Sequence, residues 1–358
     1  MGIYMSDAFR ELLRKVGSGP HTGKDLTRSE AAAATRMMLL QEATPAQIGA
    51  FLIAHRIKRP TGVELAGMLD GYDELAQKLQ PGNFTRPVTV LGCPYDGRDR
   101  YVPVTHLTAL ILAAAGVPAV THGGDRMPTK EGVPLIDIWQ GLGVRWGGLD
   151  IGRAQQVFEK TLLGFVYLPQ HFPHAYEIVP YRFQIGKRPP LATLELIWCP
   201  YAGDKHIVSG FVHPPTEEMF REAHALRGTQ LFTTVKGLEG SCDLPRERTA
   251  IIGIANPDQP FERLHLHPRD FGFAGANPPL ESTAKLLEDT QSVLRGEPSE
   301  LMKSAIWNGG FYLWRCGVSP DLSAGFATAE SVLTKGEAAE KLLELRNAVE
   351  SVQLPAPV

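Results

Sequence analysis

The stretch from Val88 to Val144 limits the possible folds more than any other part of the chain. Val88-Thr89-Val90-Leu91 is a strand-like run that feeds a glycine-bearing loop and then a helical pattern from Thr105 to Ala115. Ala119-Val120-Thr121 reads as a second short strand, ending in His122-Gly123-Gly124-Asp125-Arg126, and Leu135 to Leu142 reads as a further helix. Strand, loop and helix in succession, twice over, is the repeat of a parallel sheet. In such sheets the ligand sits beyond the carboxyl ends of the strands. Both loops that follow these strands combine glycine, charge and hydroxyl groups, the composition of a site for an anionic ligand.

Before this stretch the pattern is helical only. Phe9, Leu12, Leu13 and Val16 recur at helical spacing. Thr27-Arg28-Ser29-Glu30 and Thr61-Gly62-Val63-Glu64 are capping boxes, and Thr44-Pro45-Ala46-Gln47 adds proline at the first helical position. Pro81-Gly82-Asn83 breaks the pattern. The expected organisation is α/β: a small helical domain over residues 1–82, then an α/β domain over 83–358 with a mostly parallel central sheet flanked by helices. A helix near 175–185 leads into the loop Gly186-Lys187-Arg188-Pro189-Pro190, and a segment near 175–190 is expected to complete the helical domain. Downstream, strands are expected near 165–168, 206–211 and 231–235, with short strands within 249–274. Helices are expected near 152–162, 216–226, 282–294, 301–316 and 335–351, with another opened by Ser319-Pro320.

With 358 residues, 43% of them hydrophobic, the chain is long enough for two domains. A formal charge of −3 gives no overall pull toward nucleic acid or an anionic membrane, so a polyanion partner would need a concentrated basic patch. Four widely spaced cysteines without a CxxC pair read as reduced thiols. Residues 1–17 carry charges every few positions, unlike a signal peptide, and no run reaches the roughly 18 apolar residues of a membrane span. A cytoplasmic protein without membrane contact is expected. Met1-Gly2 with Ser6 matches the loose N-myristoylation pattern, which chance often supplies.

Several stretches resemble the anthranilate phosphoribosyltransferases, which are grouped with the pyrimidine nucleoside phosphorylases. They include Leu26-Thr27-Arg28-Ser29-Glu30-Ala31, Ala46 through Leu52, His55-Arg56-Ile57-Lys58 and Glu64-Leu65-Ala66-Gly67. Downstream, His267-Pro268-Arg269-Asp270-Phe271-Gly272-Phe273 is similar to the family's Pro-Glu-Asp-Phe-Gly element, and the C-terminal helices match in order. The resemblance covers nearly the whole chain. It implies phosphoribosyl pyrophosphate bound between a helical and an α/β domain with Mg²⁺, an aromatic amine attacking the sugar C1, and a homodimer through the N-terminal helices. Such a reaction needs donors and cations for the pyrophosphate, and it is driven mainly by positioning and electrostatics.

At the site the resemblance is carried by fewer residues. The family's Gly-Thr-Gly-Gly-Asp-Gly loop corresponds to Cys93-Pro94-Tyr95-Asp96-Gly97-Arg98. Its Asn-x-Ser-Thr corresponds to Pro103-Val104-Thr105-His106, leaving Thr105 as the metal-side hydroxyl. Its Lys-His-Gly-Asn-Arg corresponds to Thr121-His122-Gly123-Gly124-Asp125-Arg126. The acidic pair of Gly-Leu-Asp-Glu becomes Gly237-Leu238-Glu239-Gly240, with Asp243 the nearest further carboxylate. The implied phosphoribosyl-binding set is Asp96, Gly97, Arg98, Arg100, Thr105, His122, Gly123, Arg126 and Lys130. The implied acceptor-binding residues are His171 and Arg182, and the implied metal ligands are Thr105 and Glu239.

Read from their chemistry alone, Arg98 and Arg100 suit a phosphate gripped by side chains, or a solvated loop with Asp99 between them. Three functions stay open. The first is a divergent phosphoribosyl- or pentosyltransferase acting on a phosphorylated sugar or another anionic small molecule, with an unidentified acceptor. The second is a non-catalytic protein for polyanions or single-stranded nucleic acid, using Arg98, Arg100, Arg126, Arg182, Lys187 and Arg188 as a basic cleft. The third is an anthranilate phosphoribosyltransferase of tryptophan biosynthesis.

Overall fold

A computed structural model describes residues 2–19 and 21–353. Met1 of the myristoylation pattern lies outside them. Four helices come first: α1 (Gly2–Gly17), α2 (Arg28–Leu39), α3 (Pro45–Lys58) and α4 (Gly62–Leu75). There follow β1 (Val88–Leu91), α5 (Thr105–Ala114), β2 (Ala119–Gly123), α6 (Leu135–Gly141), α7 (Ile151–Thr161) and β3 (Leu163–Tyr167). Four short helices come next: α8 (Leu168–His171), α9 (Pro173–Tyr176), α10 (Val179–Ile185) and α11 (Leu191–Leu194). The remainder is β4 (Lys205–Gly210), α12 (Pro214–Leu226), β5 (Phe232–Val235), β6 (Ala250–Ala255), β7 (Glu262–Leu266), α13 (Thr283–Leu294), α14 (Glu300–Arg315), α15 (Leu322–Thr334) and α16 (Glu337–Gln353).

One sheet runs in the order β3-β2-β1-β4-β5-β6-β7. β1 to β5 pair in parallel, and β6 and β7 add an antiparallel edge. Alternate strand residues face opposite sides, and both sides are dry, as a parallel sheet requires. Leu91, Ala119, Phe165 and Val208 enter a core with α5 and the C-terminal helices. Val88, Val90, Val120, Val166 and Ile207 enter a second core shared with α1 to α4. The order reverses around β1, with β2 on one side and β4 on the other, and this switch point lies beside the loop that follows β1.

The helix expected over 175–185 is split into pieces. Prolines 169, 173 and 180 lie in the first turns of α8, α9 and α10, where a missing N–H is tolerated, but none can sit in the interior of one continuous helix. α10 packs on α3, and α11 on α4. The three capping boxes form as the sequence indicates. Gly67 lets α4 approach α2 closely, since a Cβ there would collide with the Arg28 carbonyl oxygen. All four cysteines are free thiols. Among the described residues no helix is long and apolar enough to cross a membrane.

Glu64 ties the helical part together. Its buried carboxylate accepts the Leu26 N–H at 2.8 Å, the Thr61 N–H at 2.8 Å and the Lys58 ammonium at 2.9 Å, with His55 Nε2 at 3.4 Å. Burial would raise this carboxyl, but the hydrogen bond and charge of His55, the Leu26 N–H and Lys58 outweigh it and draw the pKa down to about 2. Because the folded value lies below the unfolded one, the stabilisation is complete above the unfolded pKa near 4.5 and is lost as pH falls through the folded value near 2. At about 1.4 kcal/mol per unit this amounts to about 3 kcal/mol. Glu64→Gln should flatten this acid limb of the stability curve in urea titrations from pH 6 to pH 2; an unchanged limb would remove Glu64 as its origin.

Candidate functional site

At the carboxyl ends of β1, β2 and β5, three loops converge. The first, after β1, turns at Gly97, whose φ of +76° and lack of Cβ allow it to lie against Gly132 of the second loop. The two loops are zipped together. Val133 N donates to Arg98 O at 2.8 Å, Arg98 N to Val133 O at 3.2 Å, and Gly132 N to Asp96 O at 2.9 Å. The Gly97 N–H is also taken, by Pro94 O at 3.1 Å. These N–H groups therefore bond within the protein. The glycine of this loop serves loop-to-loop packing.

Arg98 is the centre of the convergence and is only 3% exposed. Its Nε donates to Glu239 Oε1 at 3.0 Å, and its Nη1 to Asp243 Oδ2 and Ser241 Oγ, each at 2.8 Å. Glu239 also accepts Lys130 Nζ at 2.7 Å and the N–H groups of Arg100 at 3.2 Å and Tyr101 at 3.1 Å. Asp243 accepts the Thr105 hydroxyl at 2.8 Å and the Val104 N–H at 3.1 Å, which places a carboxylate at the start of α5. Burial would raise the Glu239 carboxyl; hydrogen bonding with Asp99, the charge of Arg98 and the hydrogen bond from Lys130 hold it well below the usual range. Asp99 moves the opposite way, raised chiefly by its hydrogen bond to Glu239.

Arg98, expected to grip phosphate, thus grips two carboxylates of its own chain. The structure brings Lys130, Thr105 and Glu239 together in the same network. Asp243 and Ser241 complete it; the sequence pointed to Asp243 by proximity alone and gave no signal for Ser241. Asp96 is buried and bonded to the Arg188 guanidinium, with Nε at 3.2 Å. Arg126 lies apart, bonded to Asp137 at 3.0 Å and to the Glu131 carbonyl at 2.6 Å. Arg100 is exposed, and its side chain makes no hydrogen bond or ion pair among the described residues.

Two histidines of the implied set, His122 and His171, lie inside the protein. His122, the residue before Gly123 at the end of β2, is buried against Tyr95 and Trp198 and hydrogen-bonds Tyr95 through Nδ1. Burial pushes its pKa down to about 3, so it is neutral at physiological pH. Gly123 faces the ring of Tyr95, since a Cβ built on it would meet that ring at 3.9 Å. His171, expected at an acceptor, is fully buried between the Tyr167 N–H at 3.0 Å and the Leu149 carbonyl at 2.7 Å, a structural brace for the turn into α8.

Arg182 is buried in an ion pair with Glu195. Nothing in the sequence signalled this partner, which lies on the far side of a proline-rich turn. Burial raises the Glu195 carboxyl while the Arg182 charge opposes that rise. The six residues proposed as a basic cleft do not form a free one. Arg98, Arg126, Arg182 and Arg188 are each engaged by carboxylates, leaving Arg100 and Lys187.

The model of the glycosyl transferase family, helical bundle domain, matches residues 10–76, and that of the glycosyl transferase family, a/b domain, matches residues 96–339. The chain belongs to the glycosyl transferase family. This is a family of enzymes, and within it the chain falls in the anthranilate phosphoribosyltransferase-like group. It is 27% identical to the anthranilate phosphoribosyltransferase of Paracidovorax citrulli over 313 residues, covering 87% of this chain and 89% of the relative. With that of Azorhizobium caulinodans it shares 27% identity over 354 residues, 97% of this chain and 98% of the relative. The Thermus thermophilus anthranilate phosphoribosyltransferase structure aligns with a TM-score of 0.77 at 21% identity, covering 96% of this chain and 99% of the other. The Saccharomyces cerevisiae enzyme in complex with PRPP and Mg aligns at 0.81 with 16% identity, covering 97% and 99%. These structural likenesses establish the fold.

Removing Arg98 would leave the Glu239 and Asp243 carboxylates without their shared cation. Breaking such a buried network costs about 3–5 kcal/mol. Arg98→Ala should lower stability by that order in chemical denaturation, and Arg98→Lys should recover only part of it, since an ammonium lacks the planar fork. A neutral Arg98→Ala would show that the network does not hold the three loops.

Proposed function

We propose that this chain is a phosphoribosyl- or pentosyltransferase of the anthranilate phosphoribosyltransferase type, with its sugar donor in the cleft where the three loops meet and an acceptor not yet identified. The observation that carries this reading is the meeting of Lys130, Glu239, Arg98, Asp243 and Thr105 at the carboxyl edge of the sheet. Lys130 is the cation there with partial solvent access, 19% exposed, and it can turn from Glu239 toward a donor phosphate. Its ammonium would then stabilise the charge that grows on a departing pyrophosphate, while the zipped loops hold the sugar in place.

Magnesium fits this reading as a companion of the donor. No group of three or more His, Cys, Asp or Glu residues that could hold a metal ion occurs among the described residues. Glu239, Asp243 and the Thr105 hydroxyl form an oxygen-only set of the kind that holds Mg²⁺ when substrate phosphates supply the rest of its shell. Those residues would hold it, and when bound it would neutralise pyrophosphate charge. Arg98 and Lys130 already neutralise the same carboxylates, so Mg²⁺ and donor are expected to bind together rather than the metal alone.

A second reading, anthranilate as acceptor, is favoured by the full-length similarity to curated anthranilate phosphoribosyltransferases. Against it stands Arg182, the arginine placed by resemblance toward the acceptor's carboxylate, which is already neutralised by Glu195. Calorimetry with phosphoribosyl pyrophosphate should give binding in Mg²⁺ and little without it, weakened about tenfold or more by Lys130→Ala. Absence of heat at millimolar donor would overturn the reading. Anthranilate fluorescence should not decline in the presence of donor and enzyme; a steady decline would install the second reading.

We also infer a homodimer through the helical part. α1, α3 and α10 frame an apolar groove of about 750 Å³ that includes Val16, Ala50, Ile53, Ile57 and Ile185. Ile57 is 70% exposed and Phe183, on α10, is 56% exposed. An apolar surface of this kind on adjacent helices suits an isologous contact between two copies. Light scattering after gel filtration should give about twice the chain mass, and Ile57→Glu with Phe183→Glu should give one chain mass. A monomeric parent would refute the dimer.

A further inference from the structure

The junction between the helical part and the sheet holds a second concave surface, bordered by Arg188, which bonds Asp96 of the first loop. It is a groove of about 560 Å³, within the range of small-molecule sites. The end of α3 contributes Arg56 and Arg59, the turn between α10 and α11 contributes Arg188, and the start of α12 contributes His213 and Thr216. Pro60, Pro189, Pro190, Pro214 and Pro215 form much of the wall, and no carboxylate lines the groove.

Three features give it an anionic preference. Arg56 and Arg59 are exposed, and their side chains make no hydrogen bond or ion pair among the described residues. This sets them apart from Arg98, Arg126, Arg182 and Arg188, all held by carboxylates. Arg188 uses Nε and Nη2 on Asp96, and its Nη1 has no partner. The thirteen-residue helix α12 opens into the groove with two prolines and no side-chain cap, and the one carboxylate of its first turn, Glu217, is engaged by Arg263. Guanidinium groups that converge on a concavity without a counter-charge suit a phosphate, which each can meet with paired N–H donors. The proline walls are stiff and flat, so the groove is preformed and can lie against an apolar ring.

We propose that this groove is a binding site for a phosphate-bearing ligand with a flat apolar moiety, of the size of a nucleoside monophosphate. The site is separate from sugar transfer and does not require it. Arg56 and Arg59 supply its affinity, α12 adds field at its mouth, and Arg188 borders it on the side of the first loop.

The test is calorimetry at low salt on the full chain, with adenosine 5′-monophosphate, adenosine and a single-stranded oligothymidylate as probes. Adenosine 5′-monophosphate should bind and adenosine should not. Arg56→Glu with Arg59→Glu should weaken binding about tenfold or more, with thermal unfolding unchanged because both residues are exposed. Lys130→Ala should leave this binding intact while weakening the sugar donor, which separates the two sites. Oligothymidylate binding that the double variant abolishes, without monophosphate binding, would keep the phosphate chemistry and assign its source to a polymer backbone. The proposal is overturned if neither phosphate probe binds, or if binding survives the double variant.

Discussion

The Arg98 guanidinium, held between the carboxylates of Glu239 and Asp243, is the interaction on which the site depends. It joins the loop after β1 to the loop after β5, and Lys130 draws in the loop after β2 through the same Glu239. Two crossovers of the parallel strands and the connection from β5 to antiparallel β6 thereby meet in one charged knot. The knot is buried, so its Coulomb attraction is strong but each ion loses hydration. What makes it tenable is saturation. Each carboxylate also accepts backbone N–H groups, from Arg100 and Tyr101 to Glu239 and from Val104 to Asp243.

Much of the fold was legible in the sequence, because its signals are local. Val88–Leu91 reads as a strand from four residues, and each capping box announces its helix from a threonine and the third residue after it. The break-up of the segment expected near 175–185 was harder to see, since Pro180 within it was visible but its placement in the first turn of α10 was not. The meeting of the loops was legible and their bonding was not. The strand-loop-helix succession implies that the loops after β1 and β2 are neighbours, and they are zipped together. That Arg98 would turn inward to carboxylates more than a hundred residues downstream is a fact of three-dimensional proximity, which no spacing rule contains. The same holds for Arg182 and Glu195, and for Arg188 and Asp96.

The arginines sort into two kinds, those with a carboxylate partner and those without. Buried Arg98 and Arg182 have partners, as a low-dielectric setting demands of any charge that stays ionised, and the more exposed Arg126 and Arg188 have them too. Arg56 and Arg59 lie at the surface, where water can hydrate them and no internal partner is needed. Counting basic residues along the chain could not separate these classes. Whether a guanidinium is available to a ligand is decided by what else it touches.

The second apolar core passes without a break from α1 to α4 into one face of the sheet, where Val88, Val90, Val120 and Ile207 lie. Its consequence concerns cooperativity. A helical part whose own apolar side is completed by the strands has no separate floor to stand on, and loss of the sheet would expose Leu65, Leu69 and Tyr72 together. Two family units divide the chain, but one continuous core joins them, so the two parts are expected to unfold together. The helical bundle forms one wall of that core.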